Sequence, residues 1–308
     1  MGKANKSITL LFDEATFHEA KCFYNDIGAI KEAPTPYMDF FAVSLDTTIS
    51  VYSKIHNGFR KCLIQGENAE SEAAIWIAKG AIPEEKSEKK EASLRNYYPQ
   101  IGSDEVGTGD YFGPVIVVAA YVKKEDLPLL KELGITDSKK MNDPYILSIG
   151  QKLISTFPYS QLCLDNEKYN EVREKGINLN AMKAKMHNRA LGNLKKKYPS
   201  SKVYIDQFAE EGLYYSYLKG EKDVVRDIVF STKGETHFPS VALASVIARY
   251  SFLRHMEELS KSLGKEIPFG ASGEVTEFAR QIYKEKGLEE LDKISKANFA
   301  NRKKIIEG

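Results

Sequence analysis

The sequence has few cysteines, no long apolar run and almost no net charge. Its 308 residues include 3 cysteines, none in a CxxC pair, which excludes a disulfide framework and a cysteine-based zinc site. No stretch is long and apolar enough to cross a membrane, and the first residues lack the pattern of a signal peptide. The net charge of +1 argues against nucleic-acid binding through gross charge alone. These absences predict a cytoplasmic protein whose function depends on local groups of residues.

Composition and hydrophobic patterning predict two domains joined by a charged linker. Residues 1–80 form the first predicted domain, which is α+β, and residues 81–98, rich in glutamate and lysine, form the linker. From residue 99 to residue 308, paired strands followed by alternating strands and helices predict a mixed sheet flanked by helices. The predicted fold class is therefore α/β. We expect a monomer, because no obvious apolar face is left over.

Turn and capping residues give the first domain its predicted order of elements. The dipeptide Asn57-Gly58 between two apolar, β-prone runs predicts a hairpin. Asp13 and Asn68 each precede a helical pattern and are the predicted N-caps of two helices. The expected order is a strand, a helix, several antiparallel strands and a second helix.

Four acidic side chains are candidates for a metal site. Asp104 and Glu105 are adjacent at the end of a predicted strand, and Asp206 ends an apolar strand. Glu235 directly precedes a long predicted helix. Adjacent acids repel each other, and Mg²⁺, with Mn²⁺ as a substitute, is a counter-ion that carboxylates bind well. Four acids in one cleft could hold two metals for an in-line phosphoryl displacement, although any one acid alone is more often a cap or a surface charge.

A glycine-rich turn and a basic segment are further candidate binding features. The turn after Glu105 has glycines at positions 107, 109 and 113, which is most often only a tight turn but also permits close approach of a substrate. Residues 182–202 hold 7 lysines and arginines and no acid. Residues 1–80, by contrast, carry 8 basic against 10 acidic residues, a net charge of −2.

The order of these motifs resembles the prokaryotic type II/III ribonucleases H. Four segments carry the resemblance, in order: 104–114, 136–141, 203–206, and 233–239 followed by 244–249. They run through nearly all of residues 100–260. The turn Gly107-Thr108-Gly109, where type II enzymes carry Gly-Arg-Gly, and the separate N-terminal domain are similar to the type III branch, the ribonuclease HIII enzymes.

The resemblance implies both a fold and an activity. The fold is a ribonuclease-H-like catalytic domain preceded by a small TATA-binding-protein-like domain that binds substrate. The implied activity is that of an endoribonuclease, which hydrolyses the RNA strand of RNA/DNA hybrids by a two-metal mechanism and leaves 3′-hydroxyl and 5′-phosphate ends.

The resemblance also implies roles for individual residues. Asp104, Glu105, Asp206 and Glu235 form the implied catalytic and metal-binding set. Position 235 is often aspartate in type II relatives, which leaves the metal geometry open. The predicted substrate-binding residues are Gly107, Thr108, Gly109, Lys139, Lys140, Lys183, Asn188, Tyr52, Lys54 and Lys61. His187 is as compatible with a structural role as with a functional one.

Three other functions stay open from the sequence. A type II enzyme would also incise at single ribonucleotides in DNA, and Thr108 in place of arginine argues against it. An ATP-binding protein of the actin and sugar-kinase kind would need a second phosphate loop, which we do not find. A non-catalytic nucleic-acid-binding protein would not need four acids in this context, and a metal titration would identify it.

Overall fold

A computed structural model describes residues 6–44, 46–84, 96–135 and 141–307. The chain divides into two compact units, Met1–Leu94 and Arg95–Gly308, which are described separately. Within the described ranges, no helix combines the length and apolar character needed to span a membrane.

The N-terminal unit is a six-stranded antiparallel sheet with two helices on one face. In chain order its elements are β1 Lys6–Phe12, α1 Glu14–Asp26, β2 Ile30–Lys31, β3 Met38–Ser44, β4 Thr47–His56, β5 Phe59–Gly66, α2 Ala69–Ala78 and β6 Ile82–Pro83. The strand order across the sheet is β2-β3-β4-β5-β1-β6. Because β6 pairs with β1, two residues of the segment predicted as linker, Ile82 and Pro83, belong to this sheet. Residues 85–95 of that segment lie outside the described residues.

Local signals explain most of this unit. The Asp13 side chain accepts a hydrogen bond from Thr16 N at 2.8 Å and caps α1 as predicted. The turn joining β4 to β5 has positive φ at Asn57 (50°) and Gly58 (83°), the conformation of a tight hairpin. Asn68 is the N-cap residue of α2 as predicted, although its side chain makes no capping hydrogen bond.

The helices of this unit are fixed to the sheet by an aromatic core. Trp76 of α2 and Tyr24 of α1 are fully buried, and their rings lie 5.5 Å apart. The indole of Trp76 donates to the Tyr24 hydroxyl at 2.7 Å, which in turn donates to Glu72 at 2.5 Å. Two buried polar groups thereby satisfy each other while their rings fill the core.

The C-terminal unit contains a five-stranded mixed sheet. Its strands are β7 Gln100–Val106, β8 Val115–Val122, β9 Tyr159–Leu164, β10 Lys202–Asp206 and β11 Ile228–Ser231. Their order is β11-β10-β7-β8-β9. The β7, β8 and β9 strands form an antiparallel meander, whereas β10 runs parallel to both β7 and β11.

Helices cover both faces of this sheet. They are α3 Leu127–Glu132, α4 Asp143–Thr156, α5 Asn166–Glu174, α6 Leu179–Lys197, α7 Glu211–Tyr217, α8 Gly234–His237, α9 Pro239–Leu263, α10 Gly273–Ile294 and α11 Ala300–Glu307. One core lies under α4, α9 and α10, and a second lies under α6 and α7. All eight residues of β8 are buried, because alternate side chains enter these two cores. The predicted mixed sheet flanked by helices is confirmed.

Candidate active site

Three of the four predicted acids lie at the same edge of the mixed sheet. Asp104 and Glu105 are near the end of β7, and Asp206 is the last residue of β10. In the parallel pairing of these strands Ile205 lies opposite Ser103, so the residues that follow, Asp206 and Asp104, are neighbours. Parallel strands bring their carboxyl ends to one edge, which explains the meeting of residues separated by about a hundred positions.

Glu235 reaches this edge through a short turn of helix. Lys233 has a positive φ of 58°, and α8 follows it at once. The backbone N–H of Gly234 donates to the Asp206 carboxylate at 2.8 Å, which ties the start of α8 to the end of β10. Glu235, the next residue, therefore lies beside Asp206.

All four acids line one cavity of about 400 Å³, referred to below as the acidic cavity. Its described lining is Asp104, Glu105, Val106, Met141, Asp143, Ile146, Asp206, Glu235, Ser245, Val246 and Arg249. Arg249 of α9 donates twice to Asp143 of α4, at 2.9 and 2.7 Å. Because this ion pair is internally satisfied, carboxylates remain in excess within the cavity.

Asp104 and Asp206 are destabilised as anions. Burial, followed by the charge of Glu105, raises the pKa of Asp104 to about 8, although Ser245 donates a side-chain hydrogen bond that acts in the opposite direction. Burial also raises the pKa of Asp206, with further contributions from the charges of Glu235 and Glu105. Each acid is therefore part of one electrostatic group, in which further negative charge is disfavoured.

Glu105 has a different environment from its neighbour. Its carboxylate accepts from Lys183 Nζ at 2.5 Å and bonds to His187 Nε2 at 2.8 Å. Burial acts to raise the pKa of Glu105, but the bonds and charges of His187 and Lys183 outweigh it and hold the pKa below its usual range. Successive residues of β7 point to opposite faces, so Glu105 faces α6 while Asp104 faces α9.

His187 belongs to a buried network behind Glu105. Its ring is fully buried, and Nδ1 lies 2.7 Å from Ser103 Oγ. Phe208 stacks on the imidazole at 5.2 Å, and the Lys183 ammonium lies 4.0 Å from the centre of the Phe208 ring. These contacts fix the two groups that orient Glu105. The sequence left the role of His187 open, and in the structure its ring contacts Glu105 from a buried position.

The donor set fits a hard divalent cation. Carboxylate oxygens are the ligands that Mg²⁺ and Mn²⁺ bind well, and mutual repulsion among these acids is the energy that a cation would remove. Among the described residues, no three acidic, histidine or cysteine side chains are already gathered as a metal-binding group. Glu105 in particular has both oxygens bonded to α6. Asp104, Asp206 and Glu235 could hold a cation directly, and Glu105 lies beside them in the same cavity, oriented by Lys183 and His187.

The other predicted contacts of the C-terminal unit are placed unevenly. Thr108 is half-buried and Gly109 is exposed in the loop after β7, where both can be reached, whereas Gly107 is buried. Lys139 and Lys140 lie outside the described residues. Lys183 is buried against Glu105, so its predicted contact with substrate is not supported by this geometry.

Asn188 likewise has a structural position. Its amide donates to Asp223 O at 2.7 Å and accepts from Val225 N at 2.9 Å. It is buried and fixes the loop 223–225, so both groups of its amide are already bonded within the protein, and its contact with substrate stays a prediction. A helix periodicity alone could not show which polar residues of α6 face inward.

The predicted contacts of the N-terminal unit lie on β4 and β5. Tyr52 is half-buried, and Lys54 and Lys61 are exposed. Strand alternation places Tyr52 and Lys61 on the sheet face turned away from α1 and α2, referred to below as the open face. Lys61 forms an ion pair with Glu84 on this sheet.

Arg60, the third positive charge of the same hairpin, is already paired within the N-terminal unit. It pairs with Glu14 and Asp39 and lies 4.1 Å from the ring of Phe17. Arg60 and Lys61 are adjacent in the sequence but do not form one basic patch, because neighbouring residues of a strand point to opposite faces.

Three residues of the acidic cavity were missed by the sequence reasoning. Ser245 and Arg249 are one helical turn apart on α9, and Asp143 begins α4. The spacing of Ser245 and Arg249 on an otherwise apolar helix is a usable signal, because residues four apart share a face. Asp143 follows Asn142, whose side chain caps α4 through Tyr145 N at 3.0 Å.

The mixed sheet and its edge of acids define a class: nucleases of the ribonuclease-H type. The family model for ribonuclease HII matches residues 101–302. A ribonuclease HIII of Listeria monocytogenes is 42% identical over 308 residues, covering 97% of each chain. A ribonuclease HIII of Bacillus licheniformis is 47% identical over 256 residues, covering 79% of this chain and 82% of the relative.

Solved structures give the same result. The structure of Bst-RNase HIII in complex with Mn²⁺ is 35% identical, covers 98% of both chains and has a TM-score of 0.68. The chain belongs to the ribonuclease HII family and is a metal-dependent ribonuclease H. The predicted family, fold class and enzyme class are confirmed.

Proposed function

We propose that this protein hydrolyses the RNA strand of RNA/DNA hybrids, with Asp104, Glu105, Asp206 and Glu235 as its catalytic acids. The observation that carries the proposal is the acidic cavity, in which these four side chains meet from three separate segments. The pKa of Asp104, raised to about 8, supports a site that functions with a cation present.

Divalent cations bound there, Mg²⁺ or Mn²⁺, would supply an activated water and stabilise the leaving oxygen, so that products carry 3′-hydroxyl and 5′-phosphate ends. The protein's own groups prepare this chemistry. Asp206 is oriented by Gly234 N, and Glu105 is oriented by Lys183 and His187. Ser245 donates to Asp104 from α9. These bonds hold the acids in place before substrate arrives.

We further propose that the exposed part of the loop after β7, Thr108 and Gly109, contacts the RNA strand. The loop begins two residues after Glu105, so its backbone groups lie near the acids. A 2′-hydroxyl distinguishes RNA from DNA at a given position, and backbone groups can bond to it without reading the base. Support for the choice of RNA comes from the family to which the chain belongs.

The N-terminal unit is proposed as a hybrid-binding domain. Its open face presents Tyr52 and Lys61, and Lys54 is exposed on the same strand as Tyr52. A duplex that contains an RNA strand is recognised largely by its shape and its phosphates, for which a sheet face with exposed lysines is suited. The net charge of −2 over residues 1–80 limits this attraction to the lysines themselves.

One cleavage experiment tests the proposed function. The protein is incubated with Mg²⁺, and separately with Mn²⁺, on an end-labelled RNA/DNA hybrid and on a DNA duplex that contains a single ribonucleotide. We expect cleavage of the hybrid and none of the second duplex. Cleavage of both would assign the broader specificity of type II enzymes, and cleavage of neither with either metal would contradict the proposal.

A further inference from the structure

Lys296 is a fully buried lysine that the proposed chemistry does not use. It lies between α10 and α11, and its Nζ donates to Asp110 O at 2.7 Å and to Gly113 O at 2.6 Å. Both carbonyls belong to the loop that joins β7 to β8. A single ammonium group therefore bridges two positions of the loop that carries Thr108 and Gly109.

The loop needs such a donor because its backbone cannot satisfy these carbonyls itself. Gly107 and Gly113 have positive φ values of 83° and 79°. A Cβ atom would lie 2.1 Å from Pro114 O at the first and 2.4 Å from Met256 Sδ at the second, so the backbone is packed tightly at both ends. Without Lys296, Asp110 O would lose this donor and Gly113 O would keep only the amide of Asn166. A carbonyl left unpaired away from water is costly.

The backbone around Lys296 is itself anchored to the protein. Lys296 N donates to Tyr111 O at 2.9 Å, and Gly113 N donates to Ile294 O at 3.1 Å. Asn170 of α5 donates to Ser295 O at 2.9 Å and accepts from Ala297 N at 2.9 Å. The Lys296 side chain therefore connects the loop to a segment that is itself held in place.

A neighbouring side chain supports the same carbonyl. Asn166 Nδ2, at the start of α5, donates to Gly113 O at 2.9 Å. The rings of Tyr169 and Phe299 lie 5.9 Å from the Lys296 ammonium and close off solvent. Burial lowers the pKa of Lys296 to about 7, with the charge of Asp110 acting in the opposite direction. The bonds to Asp110 O and Gly113 O offset the cost of keeping the Lys296 ammonium group charged in these buried surroundings.

We propose that Lys296 is a positioning residue for substrate recognition: by joining Asp110 O to Gly113 O it fixes the loop through which Thr108 and Gly109 meet the RNA strand. This inference rests on the proposed function, because the loop is assigned to RNA there. Lys296 touches neither the substrate nor the four acids. Its loss is expected to disturb recognition of the hybrid while leaving the acidic cavity able to bind metal.

The test compares Lys296→Met with a matched control, Arg280→Met, in the full-length protein. Arg280 of α10 also donates to a backbone carbonyl, Lys304 O at 3.1 Å, and that carbonyl belongs to α11 and not to the loop. Asp104→Asn is added to each variant for binding measurements, so that hybrid and DNA duplex can be titrated without cleavage. Amide hydrogen exchange of residues 107–113 and Mn²⁺ binding, followed by electron paramagnetic resonance without the Asp104 change, complete the set.

We expect Lys296→Met to lower hybrid affinity roughly tenfold, as a misplaced binding group does, and to reduce the preference for hybrid over DNA duplex. Exchange of residues 107–113 should become faster, and Mn²⁺ binding should be unchanged. Arg280→Met should match the parent protein in all of these. If Lys296→Met keeps the hybrid preference and the slow exchange of the parent protein, the inference is overturned.

Two further outcomes remain separable. If Lys296→Met does not fold, Asn166→Ala, which removes one of the two side-chain donors to Gly113 O, is put through the same measurements with the same expected direction. If the parent protein shows no preference for hybrid over DNA duplex, the proposed function fails. The exchange measurement then still decides whether Lys296 fixes the loop.

Discussion

The acidic cavity and the open face of the N-terminal sheet distribute charge in opposite ways. In the cavity, acids from three separate segments converge, and burial with mutual repulsion raises the pKa of both Asp104 and Asp206. On the N-terminal hairpin, adjacent basic residues separate. Arg60 forms ion pairs with Glu14 and Asp39, and Lys61 forms an ion pair with Glu84.

The difference shows where strong binding groups are to be sought. Charge that the fold concentrates without enough partners is stored electrostatic energy, which a cation or a phosphate can release. Charge that the fold already pairs contributes little more than a solvated surface does. The cavity is therefore expected to dominate activity, and the open face to adjust affinity.

The largest effect is expected at the centre of the cavity. Asp104→Asn and Asp206→Asn should each lower hybrid cleavage by more than about 100-fold, beyond what removal of a supporting residue causes, with hybrid binding retained. Cleavage rates under saturating substrate measure this. Glu171→Gln, a matched change at a surface ion pair of α5, should keep the parent rate. An Asp104→Asn protein with near-parent turnover would contradict the assignment.

The next effect concerns the groups behind Glu105. Lys183→Met and His187→Ala each remove one partner of that carboxylate and should lower activity by roughly 10–100-fold, as loss of an orienting partner does. The Mn²⁺ concentration at half-maximal rate should shift, and Mn²⁺ binding measured directly should shift with it. Lys185→Met, which removes an exposed ion pair with Glu221 on the same helix, is the control. Equal metal affinities in all variants would argue against an orienting role.

A smaller effect is expected on stability, with a defined pH dependence. The pKa of Asp104 is about 8 in the fold against 3.8 in an ordinary setting, so between these values the folded state holds a proton that the unfolded chain has released. Stability of the metal-free protein should therefore fall as the pH rises through this window. Asp104→Asn removes the penalty and should be the more stable protein at pH 8, by on the order of 2 kcal/mol, with a chelator present.

Urea unfolding of both proteins across the pH range measures this difference. The advantage of Asp104→Asn should shrink towards pH 4, where the unfolded chain also begins to bind the proton. A constant difference at every pH would show that the burial of Asp104 carries no charge penalty.

The smallest effect is expected on the open face. Lys54→Ala combined with Lys61→Ala should weaken hybrid binding and reduce its salt dependence by about one unit of slope for each phosphate that the variant no longer neutralises. Titrations at several salt concentrations in an Asp104→Asn background measure it. Lys21→Ala on α1 is the control. Unchanged affinity and salt slope would remove the N-terminal sheet from the binding surface.

Arg60→Ala sharpens the same comparison. Arg60 bonds to two acids on the helix side of the hairpin, so its loss should lower the thermal stability of the N-terminal unit rather than the affinity for hybrid. A loss of affinity as large as that of the lysine pair would mean that the hairpin presents all its charges together.

Strong periodicity explains what could be predicted of the fold. The short runs 159–164, 202–206 and 228–231, each bounded by turn residues, predict strands, and the structure has β9, β10 and β11 there. No comparably clear pattern in the sequence predicts helices α4, α5, α10 and α11. The α10 helix is interrupted at Gly287, with φ of 83°, which weakens a simple helical pattern.

The sequence by itself identified the four acids that we propose as the site, since their order and local motifs resemble those of the family, and the segments that carry them. Only the tertiary structure decided the partners of each acid. Glu105 is bonded to α6 and Asp104 faces α9, because successive residues of β7 point to opposite faces of the sheet. It also decided that Asn188 and Lys296 turn inward, because buried carbonyls and amides require donors and acceptors that no local pattern reveals.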